Sequence, residues 1–227
     1  MQPLKISAKN LGAVALEDFC PRCYWIKLKT NNKLPWQSFP GIFSSIDAYT
    51  KKCFHHIIDS KKIPNWMQQA GDIVGYEIPP HWSKNLYLDE KSGITLSGIP
   101  DDIWVRRDGT RMIPDAKTAM KSKTQDVLFP MYEIQEIVYS ILIDKNASLC
   151  LVYMEPQTSQ EEAGRAIIDR GFVMPFSGVV VPVENDKSKV RRCLSITRDI
   201  YELSKPPEGR QGCKNCESLN GIIELLK

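Results

Sequence analysis

With 227 residues the chain is long enough to enclose one sizeable core, and 42% apolar residues is the composition of a globular protein, which excludes an intrinsically disordered one. Thirty basic against 27 acidic residues leave a net charge of +3, so any nucleic-acid surface must come from local clustering. No apolar run reaches the roughly 18 residues that cross a bilayer, and the N-terminal stretch is amphipathic and broken by acids; the expectation is a soluble, cytoplasmic protein with no membrane partner.

Taken in chain order, Ser7 is placed to cap a short helix reaching about Phe19, and Pro21 predicts a turn between Cys20 and Cys23. Residues 31–41 contain Pro35 and Pro40 and read as loop. Ile46, Tyr49, Cys53, Phe54, Ile57 and Ile58 recur at helical spacing, predicting an amphipathic helix over residues 46–60. The proline-containing stretch 62–83 lacks periodicity and is expected to be an irregular, packed connection. From Leu86 to Ala119 the pattern alternates, and the turn signals "EKSG" and "RDGT" divide it into three short strands of an antiparallel meander.

A second long helix is expected over residues 130–145, with Ile134, Ile137, Val138, Ile141 and Leu142 as its apolar stripe. Strands are expected near "SLCLVYMEP" and "GVVVPVE", then a helix from Lys187 to Lys205 and a loop through "PPEGRQGCKNC". No repeat or linker interrupts the chain, so the expectation is a single α/β domain over residues 1–227.

Seven cysteines are an odd number, and four of them form two close pairs, Cys20/Cys23 and Cys213/Cys216. Such pairs suit a metal site in a reducing compartment better than a disulfide framework. Cys53, Cys150 and Cys193 stand alone in apolar surroundings and read as small core residues.

The chemistry concentrates in "IPDAKTA". Residues two apart on a strand share a face, so Asp115 and Lys117 project together. A hairpin through "RDGT" would bring the strand near Asp101 alongside Asp115. Two carboxylates brought together repel unless a cation sits between them, and oxygen ligands in a partly open site suit magnesium or manganese. A lysine beside such an ion can hold an attacking water or stabilise charge developing on a phosphate.

"GIPDD" followed by "IPDAK" resembles the core of the PD-(D/E)XK nuclease superfamily, and "QEIVY" resembles the Q-x-x-x-Y element of its RecB-like branch. The resemblance spans Cys20 to Cys216 and implies a restriction-endonuclease-like α/β fold, a mixed central sheet with the meander at its heart and helices on either side. It implies that Asp101, Asp115 and the backbone carbonyl of Ala116 hold Mg2+ or Mn2+, that Lys117 orients the nucleophilic water, and that Gln135 and Tyr139 position the phosphodiester or the lysine. The family also places a histidine on the first long helix. The residues flanking His55 favour it as a further ligand, whereas the helical wheel favours His56. Asp102 then reads as a supporting or surface acid.

The cysteine pairs resemble those of the iron–sulfur nucleases of CRISPR adaptation, which implies that the segments 1–30 and 205–227 are clasped by a [4Fe–4S] cluster. Those relatives carry one cysteine before the core and three after it; two and two also satisfies a structural Zn2+, and both readings stand. Lys121 and Lys123 follow the catalytic strand and either meet DNA phosphates or keep a loop solvated. The implied activity is divalent-metal-dependent hydrolysis of DNA, single-stranded or with free ends, by an exonuclease of repair, recombination or CRISPR-type processing that works with protein partners. The alternative is an inactive nuclease-derived module that binds nucleic acid or a protein.

Overall fold

The computed structural model describes residues 3–30, 40–119 and 127–225, apart from the side chain of Trp82; Lys121 and Lys123 lie outside the described residues. The chain opens with β1 (Leu4–Ser7), and the Ser7 hydroxyl accepts a hydrogen bond from the Asn10 N–H to start α1 (Ala8–Gly12). The helix expected to run to Phe19 ends instead in a single 3-10 turn at Ala13–Ala15. Glu17 and Asp18 follow it, acids that a helix C-terminus disfavours. Pro21 does not merely turn the chain: it occupies the first turn of α2 (Pro21–Lys29), where its missing N–H costs nothing, and Cys23 lies in that same turn.

Next comes α3 (Ile42–Asp59), which buries Thr50, Phe54 and Ile58 at spacing four, whereas Tyr49 of the expected stripe is exposed. The connection expected to be irregular contains β2 (Ile73–Glu77), preceded by a 3-10 turn at Asn65–Ala70. The meander is not one unit. It is four strands in two hairpins: β3 (Leu86–Asp89) with β4 (Ile94–Ser97), and β5 (Ile103–Arg106) with β6 (Arg111–Thr118). Both turn signals act as expected, with Gly109 at φ 80° in the second. The chain leaves the first sheet after Ser97 and enters the second at Ile103, and Pro100, which has no N–H to give a ladder, lies in the gap.

After β6 come α4 (Phe129–Leu142) and β7 (Ser148–Pro156), which runs parallel to β6. A short α5 (Gln160–Arg165) and a small ribbon of β8 (Ile167–Ile168) and β9 (Gly171–Phe172) lead into β10 (Phe176–Val183), antiparallel to β7. The chain closes with α6 (Lys187–Glu202) and α7 (Lys214–Leu225), so the tail expected to be loop becomes helical within "CKNC".

The result is α/β: a mixed five-stranded sheet in the order β10-β7-β6-β5-β2, a three-stranded sheet in the order β1-β4-β3, and flanking helices. One core joins Ile6, Ile94 and Leu96 of the small sheet to Ile113, Leu149 and Leu151 of the large one through Leu11, Ile137 and Val138. A second core, on Phe54, Met67, Trp104 and Val152, fills the opposite face of the large sheet beneath α3. Because α4 packs against strands of both sheets, it is no half-exposed amphipathic helix: every residue from Ile134 to Ser140 is buried. No helix among the described residues is long and apolar enough to cross a membrane.

Candidate functional site

Asp115 and Lys117 sit on β6, in the middle of the large sheet, and both face the side covered by α4. Pro114 donates no hydrogen bond, and the β5–β6 ladder stops at Trp104–Met112. The N–H of Ala116 is therefore met by a side chain: it donates to Asp101 Oδ2 at 2.8 Å. That bond draws Asp101 to the same cleft as Asp115. The cleft has a volume of about 430 Å³, and Asp47, Asp101, Asp115, Lys117, Gln135 and Tyr139 lie along it.

The charges in this cleft are already paired. Lys117 Nζ pairs with Asp115 Oδ2 and lies 4.2 Å from the centre of the Tyr132 ring, a cation–π contact. Lys51 Nζ lies 3.0 Å from Asp101 Oδ1 and 3.0 Å from Asp47 Oδ2, bridging α3 to the acid before β5. Burial drives the Asp115 carboxyl up to about 7, opposed by Lys117 and reinforced by the neighbouring Asp101. Burial disfavours the Lys117 charge, but Asp115 outweighs it and raises the ammonium above its ordinary value.

Helix α4 supplies the wall. Gln135 Nε2 donates to Tyr139 Oη at 2.9 Å and to Asp115 Oδ1 at 3.3 Å, so the pair spaced four apart in sequence acts as one clamp on the carboxylate. Gly98 makes room for it: a Cβ there would lie 2.7 Å from Tyr139 Cε1. Behind Asp115 lies Glu136, fully buried, its two carboxyl oxygens without a hydrogen-bond partner among the described residues. Burial, and then the nearby Asp115, push it well above the ordinary carboxylate range.

The first long helix meets the cleft with other residues than the expected histidine. His55 is not among the residues lining it; its Nε2 lies 2.9 Å from Asp102 Oδ2 and its ring stacks on Tyr76 at 3.7 Å. His56 is exposed. Asp102 is 1% exposed and also accepts from the N–H of Ile103 and from Trp104 Nε1, so it is a buried anchor for α3 and not a surface acid. Asp47 and Lys51, about two turns and one turn nearer the start of α3 than His55, are the residues that sequence reasoning missed. Spacing gave a signal: Asp47, Lys51 and Phe54 fall on adjoining positions of the wheel.

At the other end of the molecule the two cysteine pairs meet. Cys20 precedes α2 and Cys23 lies in its first turn; Cys213 precedes α7 and Cys216 lies in its first turn. Their ligand atoms all lie within 4.8 Å of one another, and all four residues are buried. The termini are thus joined by a four-cysteine metal-binding site. Burial alone would push the Cys20 thiol up, but the N–H groups of Cys23 and Arg210 bring it down to about 7. Burial and the neighbouring sulfurs push Cys23 up; burial pushes Cys216 up to about 11, opposed by its bond to Cys23. Like-charged neighbours at this range cannot all ionise without a cation. Among the described residues no other group of three or more His, Cys, Asp or Glu converges in this way. Cys150 and Cys193 are buried in the core, and Cys53 is partly buried on α3.

No family model matches the chain, and no curated protein is similar to it. The chain is similar to a solved structure described as "Crystal structure of SSO0001", at 15% identity and a TM-score of 0.44, over 91% of this chain and 81% of that one. A likeness of that extent carries no argument about chemistry.

Proposed function

We propose that the protein is a nuclease of the PD-(D/E)XK type that hydrolyses DNA phosphodiesters with Mg2+ or Mn2+ in the cleft beside β6, the surrounding sheet and helices being its restriction-endonuclease-like core. One observation carries the reading: Asp101, from the connection before β5, and Asp115, on β6, reach one cleft together with an ammonium on the same strand face as Asp115. The donor set fits a hard cation, being two carboxylates beside the backbone of Ala116 in a cleft of about 430 Å³. A divalent ion held there would lower the pKa of a bound water and offset charge on the phosphate.

The chain's own residues have distinct tasks in this reading. Gln135 and Tyr139 hold the Asp115 carboxyl in orientation. Lys117, paired with Asp115 on the same strand face, would donate to the attacking water or a phosphate oxygen when an ion engages that carboxylate. Lys51, which pairs with Asp101 and Asp47, would have to give up Asp101 to an ion and would then be free to meet a phosphate. The substrate is DNA that is single-stranded or has free ends.

The second reading is a binding module without catalysis. It is favoured by the pairing itself: Lys51 and Lys117 already neutralise the two acids, so the cleft is stable with no divalent ion. End-labelled single- and double-stranded DNA incubated with Mn2+ separates the two. Cleavage that Asp115→Ala and Lys117→Ala both abolish supports the nuclease. Cleavage that survives both removes the site, and DNA binding without cleavage leaves the module.

A further inference from the structure

We infer that the four cysteines hold a single zinc ion as a permanent clasp, and not the [4Fe–4S] cluster that the family resemblance implies. The sulfur separations decide it. Cys20 and Cys216 are 3.5 Å apart, Cys23 and Cys216 3.5 Å, and Cys23 and Cys213 3.7 Å. Four sulfurs at about 2.3 Å from one tetrahedral zinc lie about 3.8 Å from one another. In a [4Fe–4S] cluster each cysteine binds a different iron on alternate corners of a cube, which sets the sulfurs roughly 6 Å apart. The largest separation here, within 4.8 Å, already falls short of that. A disulfide is excluded from the other side, since its sulfurs are about 2.05 Å apart.

The surroundings could not widen at small cost. A Cβ at position 209 would lie 2.7 Å from Cys216 Sγ, so glycine there lets the chain press against the sulfur, and the neighbouring Arg210 N–H donates to Cys20 Sγ at 3.3 Å. Tyr24, next to Cys23, is fixed by a 2.9 Å bond between its hydroxyl and Thr197, and Trp25 donates to the Leu203 carbonyl at 3.0 Å. Because these two bonds hold α2 to α6 and to Leu203, expansion to a cubane would have to move α7 and residues 209–210 away from α2 and break the Arg210 N–H bond to Cys20.

The surroundings suit the net negative charge of a tetrathiolate centre, which zinc and a cluster share. Each pair begins a helix, where the macrodipole favours anions. The cavity beside the sulfurs is lined by Lys27, Arg210 and Lys214. With four protein ligands the ion would have no open position, which assigns it a structural and not a catalytic task. Zinc has no redox chemistry, so the clasp would not sense oxidants by electron transfer.

The test uses the full chain, purified anaerobically from cells supplied with both metals. The expected result is about one zinc per chain, no acid-labile sulfide, and no broad absorbance near about 400 nm. A mercurial reagent should release that zinc as four thiols react, and cobalt exchanged into the site should give the ligand-field bands of a tetrahedral tetrathiolate. Cys213→His, which keeps tetrahedral ligation, should retain zinc with an altered cobalt spectrum. Iron and sulfide at about four per chain would overturn the inference, as would cysteines that are metal-free or paired as disulfides. Neither result bears on whether the carboxylate cleft cuts DNA, which is read separately by the Asp115 and Lys117 variants.

Discussion

The cysteine cluster and the carboxylate cleft face the same physical problem, several acidic groups gathered out of water, and they meet it differently. In the cleft each acid has an ammonium beside it, Lys117 on Asp115 and Lys51 on Asp101. The protein supplies its own cations there, and the cleft folds without help. The four sulfurs hydrogen-bond to one another and to backbone N–H groups, with Lys27, Arg210 and Lys214 lining the cavity beside them. Four thiol groups this close need a cation at the centre if they are to ionise together. On the proposed readings, one region would depend on its metal for structure, whereas the other would bind and release a metal for chemistry.

The largest expected effect tests the second half of that contrast. Asp101→Ala or Asp115→Ala should lower Mn2+-dependent cleavage at least ~1,000-fold, because the ligand for the ion and the charge beside it are lost together. Single-turnover cleavage of labelled DNA reads this out, and a loss under tenfold would dissolve the proposed site. For the first half, Cys20→Ser with Cys213→Ser should cost about 3–5 kcal/mol of stability, since the clasp closes a loop of nearly the whole chain and its metal binds the folded state alone. Urea unfolding measures it; an unchanged midpoint would show that the clasp is not structural.

The pH behaviour sharpens the contrast. Asp115 is neutral below about 7 in the folded chain, so there a divalent ion must displace a proton. Apparent Mn2+ affinity should therefore rise up to about tenfold per pH unit toward pH 7 and level off above it. In metal-free protein the sign for stability is opposite. The folded-state value lies above the unfolded one, so this carboxyl's contribution is complete below the unfolded value of 3.8 and is lost as pH rises through about 7. Asp115→Asn should remove both dependences, and calorimetry from pH 4 to 8 checks them.

His55→Ala should cost about 1–2 kcal/mol by taking one partner from buried Asp102, with Mn2+ affinity nearly intact. A large loss of metal binding would return His55 to the cleft. The smallest effect belongs to Lys51→Met, which removes the ammonium competing for Asp101 and should tighten Mn2+ about threefold. Weaker binding in that variant would mean that Lys51 assists the ion.

Much of this was legible in the order of residues, because the signals were local. The hairpin turns at "EKSG" and "RDGT", the Ser7 cap and the strand at Ser148–Pro156 all lie where short-range chemistry puts them. The cysteine pairs and the D-x-K were visible for the same reason. What failed depended on tertiary partners. β2 is a short edge strand with a register shift between Ile73 and Gly75, so its alternation is blurred. The split of the meander followed from α4 lodging between two sheets, which no window of sequence displays. The roles of Lys51 and Asp102 likewise required knowing which way α3 is rolled against β5. A flanking-residue pattern pointed to His55, but the roll of that helix delivers it to Asp102.

One consequence follows from Pro114. By withholding an N–H where β5 has already departed, it leaves the upper half of β6 to be finished by a carboxylate, which serves as a surrogate strand for one peptide group. Asp101 is therefore a scaffold group as well as a ligand in the proposed site. Changing it disturbs the backbone that presents Lys117, so chemical and architectural losses are fused at that position, whereas at Lys117, whose side chain holds no ladder, they can be separated.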